Sequence, residues 1–236
     1  MLAPLNIAVA GSVERLSATS VAGTLVTLCS VFMLLAAFAC LGSKLFSRYV
    51  VYYAFQSIVL AFACAVVAFH FHSADLWVLA FITLAVKGVA IPLATRGLLL
   101  ERLELRRDVA LSTGLSTSLI IGALLTGFAF LVIPPADLPH GVVATSAVAL
   151  STALVLLGGL CMVVRRHIVA QLIGWLITEN GVFLGAITLV ATFPFIVEAG
   201  IFLDLVAAVL IMIVFVSGIT RRLAEATASE LRELRG

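Results

Sequence analysis

The sequence predicts an all-α, polytopic membrane protein with about seven transmembrane helices, and three observations carry that prediction. The chain has 236 residues, of which 63% are hydrophobic and only 11% charged. That is far too little polar surface to cover a soluble core of this size. The apolar residues fall into long runs, each of roughly the 20 residues an α-helix needs to cross a bilayer. The charges and prolines fall between the runs. Runs this long exclude a transmembrane barrel, whose strands alternate over short segments.

The runs span approximately 20–42, 49–70, 75–97, 109–133, 141–164, 168–191 and 195–218. Before the first stands "MLAPLNIAVAGSVERL". It has no basic n-region and too short an apolar core for a signal peptide, so it is read as a short head at the membrane interface. The second run opens after "SKLFSR" and closes at "HFHSAD"; the third ends before "ERLELRRD". The fourth ends at "PPADLPH", the fifth at "RRH" and the sixth at "TFP". The seventh runs into "RRLAEATASELRELRG", a charged, helix-prone tail over 219–236. No soluble domain is inserted, so 1–236 is read as a single transmembrane domain.

Twelve of the fourteen Lys and Arg residues lie in alternate loops. Lys44 and Arg48 are in the first, Arg96, Arg102, Arg106 and Arg107 in the third, and Arg165 and Arg166 in the fifth. Arg221, Arg222, Arg232 and Arg235 follow the last run. Arg15 falls on the opposite side and Lys87 falls inside the membrane. The excess of basic residues on one side predicts an outer N-terminus and a cytoplasmic C-terminus, hence a multi-pass protein of the cell inner (cytoplasmic) membrane. One missed span would scramble this alternation.

Known catalytic signatures are absent. There is no Walker A sequence, HExxH, nucleophile elbow or GxGxxG before a helix. Cys29, Cys40, Cys64 and Cys161 lie within apolar runs, and none forms a CxxC pair. They define no disulfide framework, zinc site or iron–sulfur ligand set. The expectation is a chain with no catalytic site, metal or cofactor of its own, whose redox centres, if any, sit in partner subunits.

The polar residues at bilayer depth are the candidate functional groups, because ionisable side chains there are costly and mark transport paths by default. Lys87, in "LAVKGVAIPLATRG", is too deep to snorkel easily. Gly88 follows it, and Pro92 removes the hydrogen bond to the carbonyl four residues back, so the helix is expected to kink or loosen beside the lysine. Lys87 is read as a proton-handling group or as half of a structural ion pair locking two helices. Glu179, in "GWLITENGVFLG", lies almost at the midpoint of the sixth run. At 100° per residue, Gly174, Thr178, Gly181 and Gly185 form one narrow stripe suited to close helix packing, and Glu179 points about 120° away from it. Glu179 is therefore offered to a different partner, as a proton carrier or as a protonated bridge between helices.

On the seventh run, Asp204 is placed within a turn or so of the midplane and Glu198 in the first turn or so after Pro194. An acid at that helix start complements the helix dipole, so Glu198 is open to either reading. His70 and His72 mark the outer end of the second run. Gln56 and Ser57 are read as interhelical hydrogen-bonding groups. Gln171, near the inner end of the sixth run, is read as a lead for water toward Glu179.

These features separate four kinds of protein. A retinal photoreceptor would hold its Schiff-base lysine in the last helix with acids earlier, the reverse of the order here. A self-contained transporter would often show inverted repeats, and none is visible. The remaining two are a proton-path subunit of a larger complex and a passive membrane scaffold.

At "QLIGWLITENGVFLGAITLV" and "PFIVEAGIFLDLVAAVLIMIVF" the chain resembles the component E family of hydrogenase-4, a membrane subunit of group 4 [NiFe]-hydrogenase complexes, and "KGVAIP" fits as well. The three-helix unit over 141–218 is also similar to subunit K of respiratory complex I and to the C subunit of Mrp-type antiporters. In subunit K a Glu stands two residues after the Gly and an Asn four further on. Here Gly174 and Asn180 keep that spacing, but the Glu position is Leu176 and the acid is Glu179, one turn later. The second family carboxylate maps to Asp204 or Glu198.

The resemblance implies a membrane-arm subunit in which Glu179, Asp204, Lys87 and Glu198 contribute to a proton or Na⁺ path. Its partners would be large antiporter-like membrane subunits, other membrane-arm subunits, a peripheral hydrogenase-like arm holding any [NiFe] and iron–sulfur centres, and lipid, with no nucleic acid. An Mrp-type cation/proton antiporter module and a passive scaffold are the alternatives.

Overall fold

The computed structural model of the chain describes residues 3–43, 46–93, 114–134, 144–165 and 168–189, without the side chains of 3–20, 46–47 and 168–169. The run over 195–218, and with it Asp204 and Glu198, lies outside the described residues, as do the 219–236 tail and the basic loop over 94–113.

Every described element is helical. The helices are α1 (Ala3–Gly42), α2 (Phe46–Phe71), α3 (Ala74–Thr83), α4 (Leu115–Val132), α5 (Thr145–Val164) and α6 (Ile168–Leu189). A π-helical segment, Leu84–Ala90, continues α3, and residues 91–93 close it as α-helix. Six described helical stretches are long and apolar enough to cross a membrane: Val21–Gly42, Arg48–Phe71, Ala74–Leu93, Leu115–Val132, Thr145–Val164 and Ala170–Leu189.

The first helix differs from the sequence reading. Residues expected to form a separate interfacial head are the opening turns of one 40-residue helix. Pro4 lies in the first turn, where its missing N–H is an orphan in any helix, and nothing after it breaks the hydrogen-bond ladder. The apolar run marks the bilayer; the helix extends beyond it. The start of α3 is set by Ser73, whose side chain accepts a hydrogen bond from the Leu76 N–H at 3.5 Å. The preceding turn passes through His72 at φ 51°, the left-handed conformation that stops α2.

α5 and α6 are packed most closely. A Cβ placed on Gly158 would meet the Gly174 carbonyl oxygen at 2.7 Å and the Thr178 nitrogen at 2.6 Å. One on Gly181 would meet the Val155 nitrogen at 2.9 Å, and one on Gly185 the Ser151 hydroxyl at 2.9 Å. The Gly174–Thr178–Gly181–Gly185 stripe therefore lies against α5, backbone on backbone, as small residues permit within a membrane. α2 packs on α1, on α3 with its π segment, and on α6; α1 also packs on α5. α4 sits outside, against α5 and α1, and exposes Ile120, Leu124, Phe128 and Leu131.

Arg165 departs from its reading as a loop charge. It is fully buried, and its guanidinium folds back to donate to the Leu41 carbonyl and, at 3.0 Å, to the Ser43 carbonyl at the end of α1. Those carbonyls belong to a helix terminus that lacks intrahelical donors, and the cation also complements the negative end of the α1 dipole. The group stacks 5.1 Å from the Tyr49 ring centroid, while the Tyr49 hydroxyl donates to the Ser43 carbonyl at 3.1 Å.

Candidate functional site

The site forms where α2, α6 and the π segment meet. In the π register the Ile91 N–H reaches back five residues to the Val86 carbonyl. The loosening expected beside Gly88 and Pro92 is thus a wider helical turn, and such turns recur at functional positions. Gly88 brings this turn close to α2: a Cβ there would lie 3.4 Å from Ile58 Cγ1. Pro92 falls just after the π segment, in the closing α-helical turn.

Lys87 points inward and is 1% exposed. Its Nζ lies 3.3 Å from Glu179 Oε1 on α6, and it donates to Asn180 Oδ1 at 3.4 Å. The ammonium is also 5.5 Å from the centroid of the Phe183 ring, one turn further along α6. Glu179 is 4% exposed and Asn180 fully buried. Both polar distances exceed the roughly 2.7–2.9 Å of a tight charge-assisted bond. The ammonium touches two oxygens without being clamped by either.

Behind Asn180 the network continues into α2 and α1. Asn180 Nδ2 donates to Gln56 Oε1 at 3.1 Å and to Ser57 Oγ at 3.3 Å. Gln56 Nε2 donates to the Met33 carbonyl of α1 at 3.0 Å. Gln56 and Ser57 are buried. Four helical elements are thereby joined by one polar chain at bilayer depth, where alternatives to internal hydrogen bonding are scarce.

Lys87 and Glu179, which the sequence presents as separate groups near the midplane, are therefore direct neighbours. Asn180, which the sequence reading did not single out as a functional group, is the hub between them and α2. Its signal was available: an Asn beside a Glu in an apolar run. Gln171 donates to the Arg165 carbonyl at 2.9 Å, so its amide is engaged at the start of α6. His70 and His72 are exposed at the end of α2. Among the described residues no group of three or more His, Cys, Asp or Glu residues gathers to hold a metal ion, and the four cysteines are buried and free.

The pair has definite chemical capacity. It can exist as ammonium and carboxylate, or as amine and carboxylic acid after an internal proton transfer, with the same net charge. An additional proton leaves an uncompensated cation in a low-dielectric setting, which is costly.

The chain is similar to several bacterial proteins. It is 34% identical over 157 residues to an uncharacterized protein of Mycobacterium tuberculosis, Rv0085, covering 63% of this chain and 71% of that one. It is 32% identical over 117 residues to Hydrogenase-4 component E of Escherichia coli K12, covering 50% of this chain and 54% of that one. The component E of Shigella flexneri matches to the same extent. The chain thus spans about half the length of the component E relatives. No protein-family model and no solved structure matches it.

Proposed function

The chain belongs to the family of the mycobacterial protein Rv0085 and is a distant homologue of Hydrogenase-4 component E, and from that premise we propose that it is a membrane-arm subunit of a hydrogenase-4-like or complex-I-like redox complex. In this reading it performs no catalysis of its own. Any [NiFe] and iron–sulfur centres lie in a peripheral arm, and large antiporter-like subunits adjoin it in the inner membrane. The seventh helix over 195–218 and a cytoplasmic C-terminus complete the topology, and 141–218 acts as a subunit-K-like unit.

The observation that carries the proposal is the Lys87–Glu179 contact at 3.3 Å between two membrane-depth residues. Glu179 accepts a proton, Lys87 becomes the surplus charge, and a proton departs along the lateral chain. Asp204 and Glu198 of the seventh segment are the next stations. Na⁺ in place of the arriving proton follows the same electrostatics, and an Mrp-type antiporter module would use the pair in the same way. A passive scaffold would use it only as a helix lock. The test is the assembled complex in proteoliposomes carrying Glu179→Gln, with electron transfer and ion uptake measured side by side. Electron transfer that persists while ion uptake fails supports coupling through this pair. Wild-type ion uptake assigns the pair to the scaffold.

A further inference from the structure

The direction of every hydrogen bond behind Lys87 is determined by one backbone group. The Met33 carbonyl can only accept, so Gln56 must turn its Nε2 toward α1. Gln56 Oε1 then faces α6 and can only accept, so Asn180 must present Nδ2 to it. Asn180 Oδ1 is left facing Lys87. We infer that Gln56 is a positioning residue: held by the Met33 carbonyl, it fixes the polarity of Asn180 and makes position 87 a place for a cationic donor beside Glu179.

Neither amide exchanges protons readily, so this branch is a dead end for protons. It holds the lysine in place, while proton exchange is confined to the carboxylate side. A reversed Asn180 would set its oxygen against Gln56 Oε1 and its N–H₂ against the ammonium, and both contacts would be repulsive. Ser57 is secondary: its hydroxyl can donate or accept, so it adapts to Asn180 without dictating its orientation.

The inference takes Lys87 and Glu179 as the working pair, but its primary readout is independent of transport. The full chain is reconstituted in nanodiscs, and the carboxyl infrared band that disappears in Glu179→Gln is titrated against pH. Gln56→Met, which keeps the length and removes both polar atoms, is expected to shift the midpoint of that band by at least one pH unit. Asn180→Leu, which removes the oxygen itself, is expected to shift it as far and provides the test if Gln56→Met does not fold. Ser57→Ala is expected to shift it by less than half as much. An unmoved midpoint in folded Gln56→Met or Asn180→Leu overturns the inference, as do equal shifts in Gln56→Met and Ser57→Ala. A midpoint that moves while Glu179→Gln leaves ion uptake intact would uphold the positioning role and remove the transport role.

Discussion

Breaking the buried pair from either side separates an electrostatic contact from two coincidentally adjacent residues. Two unit charges 3.3 Å apart attract by about 5 kcal/mol at an effective dielectric of about 20. Desolvation of both groups offsets much of this, which is why replacing a whole buried pair is often nearly neutral while removing one partner costs about 3–5 kcal/mol. Lys87→Met leaves a buried carboxylate, and Glu179→Gln leaves a buried ammonium. Each single variant is expected to lose about 3 kcal/mol, and the double variant to lose at least about 2 kcal/mol less than the sum of the two. The assay is reversible unfolding of the purified chain in mixed detergent micelles, run as a double-mutant cycle. Losses that add to within about 0.5 kcal/mol, the behaviour of independent sites, would refute the reasoning.

Three further outcomes follow from the packing. Gly158→Ala is expected to destabilise the α5–α6 pair by about 1–3 kcal/mol through overpacking, because its Cβ would sit 2.6–2.7 Å from backbone atoms of α6; Gly127→Ala, with nothing within 4 Å, is the matched control, and thermal unfolding by circular dichroism reads both. Arg165→Met is expected to cost about 1–3 kcal/mol by the same measurement, since it strips donors from the buried carbonyls of Leu41 and Ser43. Gly88→Ala is expected to be tolerated within about 1 kcal/mol, because its Cβ would meet only the side chains of Leu84 and Ile58 at 3.3 and 3.4 Å, while Gly88→Leu, which overpacks the same gap, pushes the π segment from α2 and lowers the unfolding temperature.

The membrane-spanning helices were legible because the bilayer imposes a length on apolar runs, and the six described spans fall where those runs lie. Helix ends were less legible. Hydrophobicity marks the membrane boundary, whereas α1 is continuous from Ala3 because hydrogen bonding continues through polar residues. Lys87 and Glu179 announced themselves by their cost at depth. Their contact did not, because depth along a helix says nothing of which helices are neighbours. Asn180, Gln56 and Ser57 carry no charge and draw less attention in an apolar run, yet they join Lys87 to α1. In the sequence Arg165 reads as a loop charge, because the carbonyls that hold it lie more than 120 residues away in the chain. The wider turn at Leu84–Ala90 was foreshadowed by Gly88 and Pro92 as a weakness, without its π geometry.

The most direct test of coupling through the Lys87–Glu179 pair is the ratio of ions moved to electrons transferred by the assembled complex in sealed proteoliposomes, wild type against Glu179→Gln. The account predicts that the variant keeps most of its electron transfer and loses at least nine-tenths of its ion movement. An unchanged ratio would contradict it.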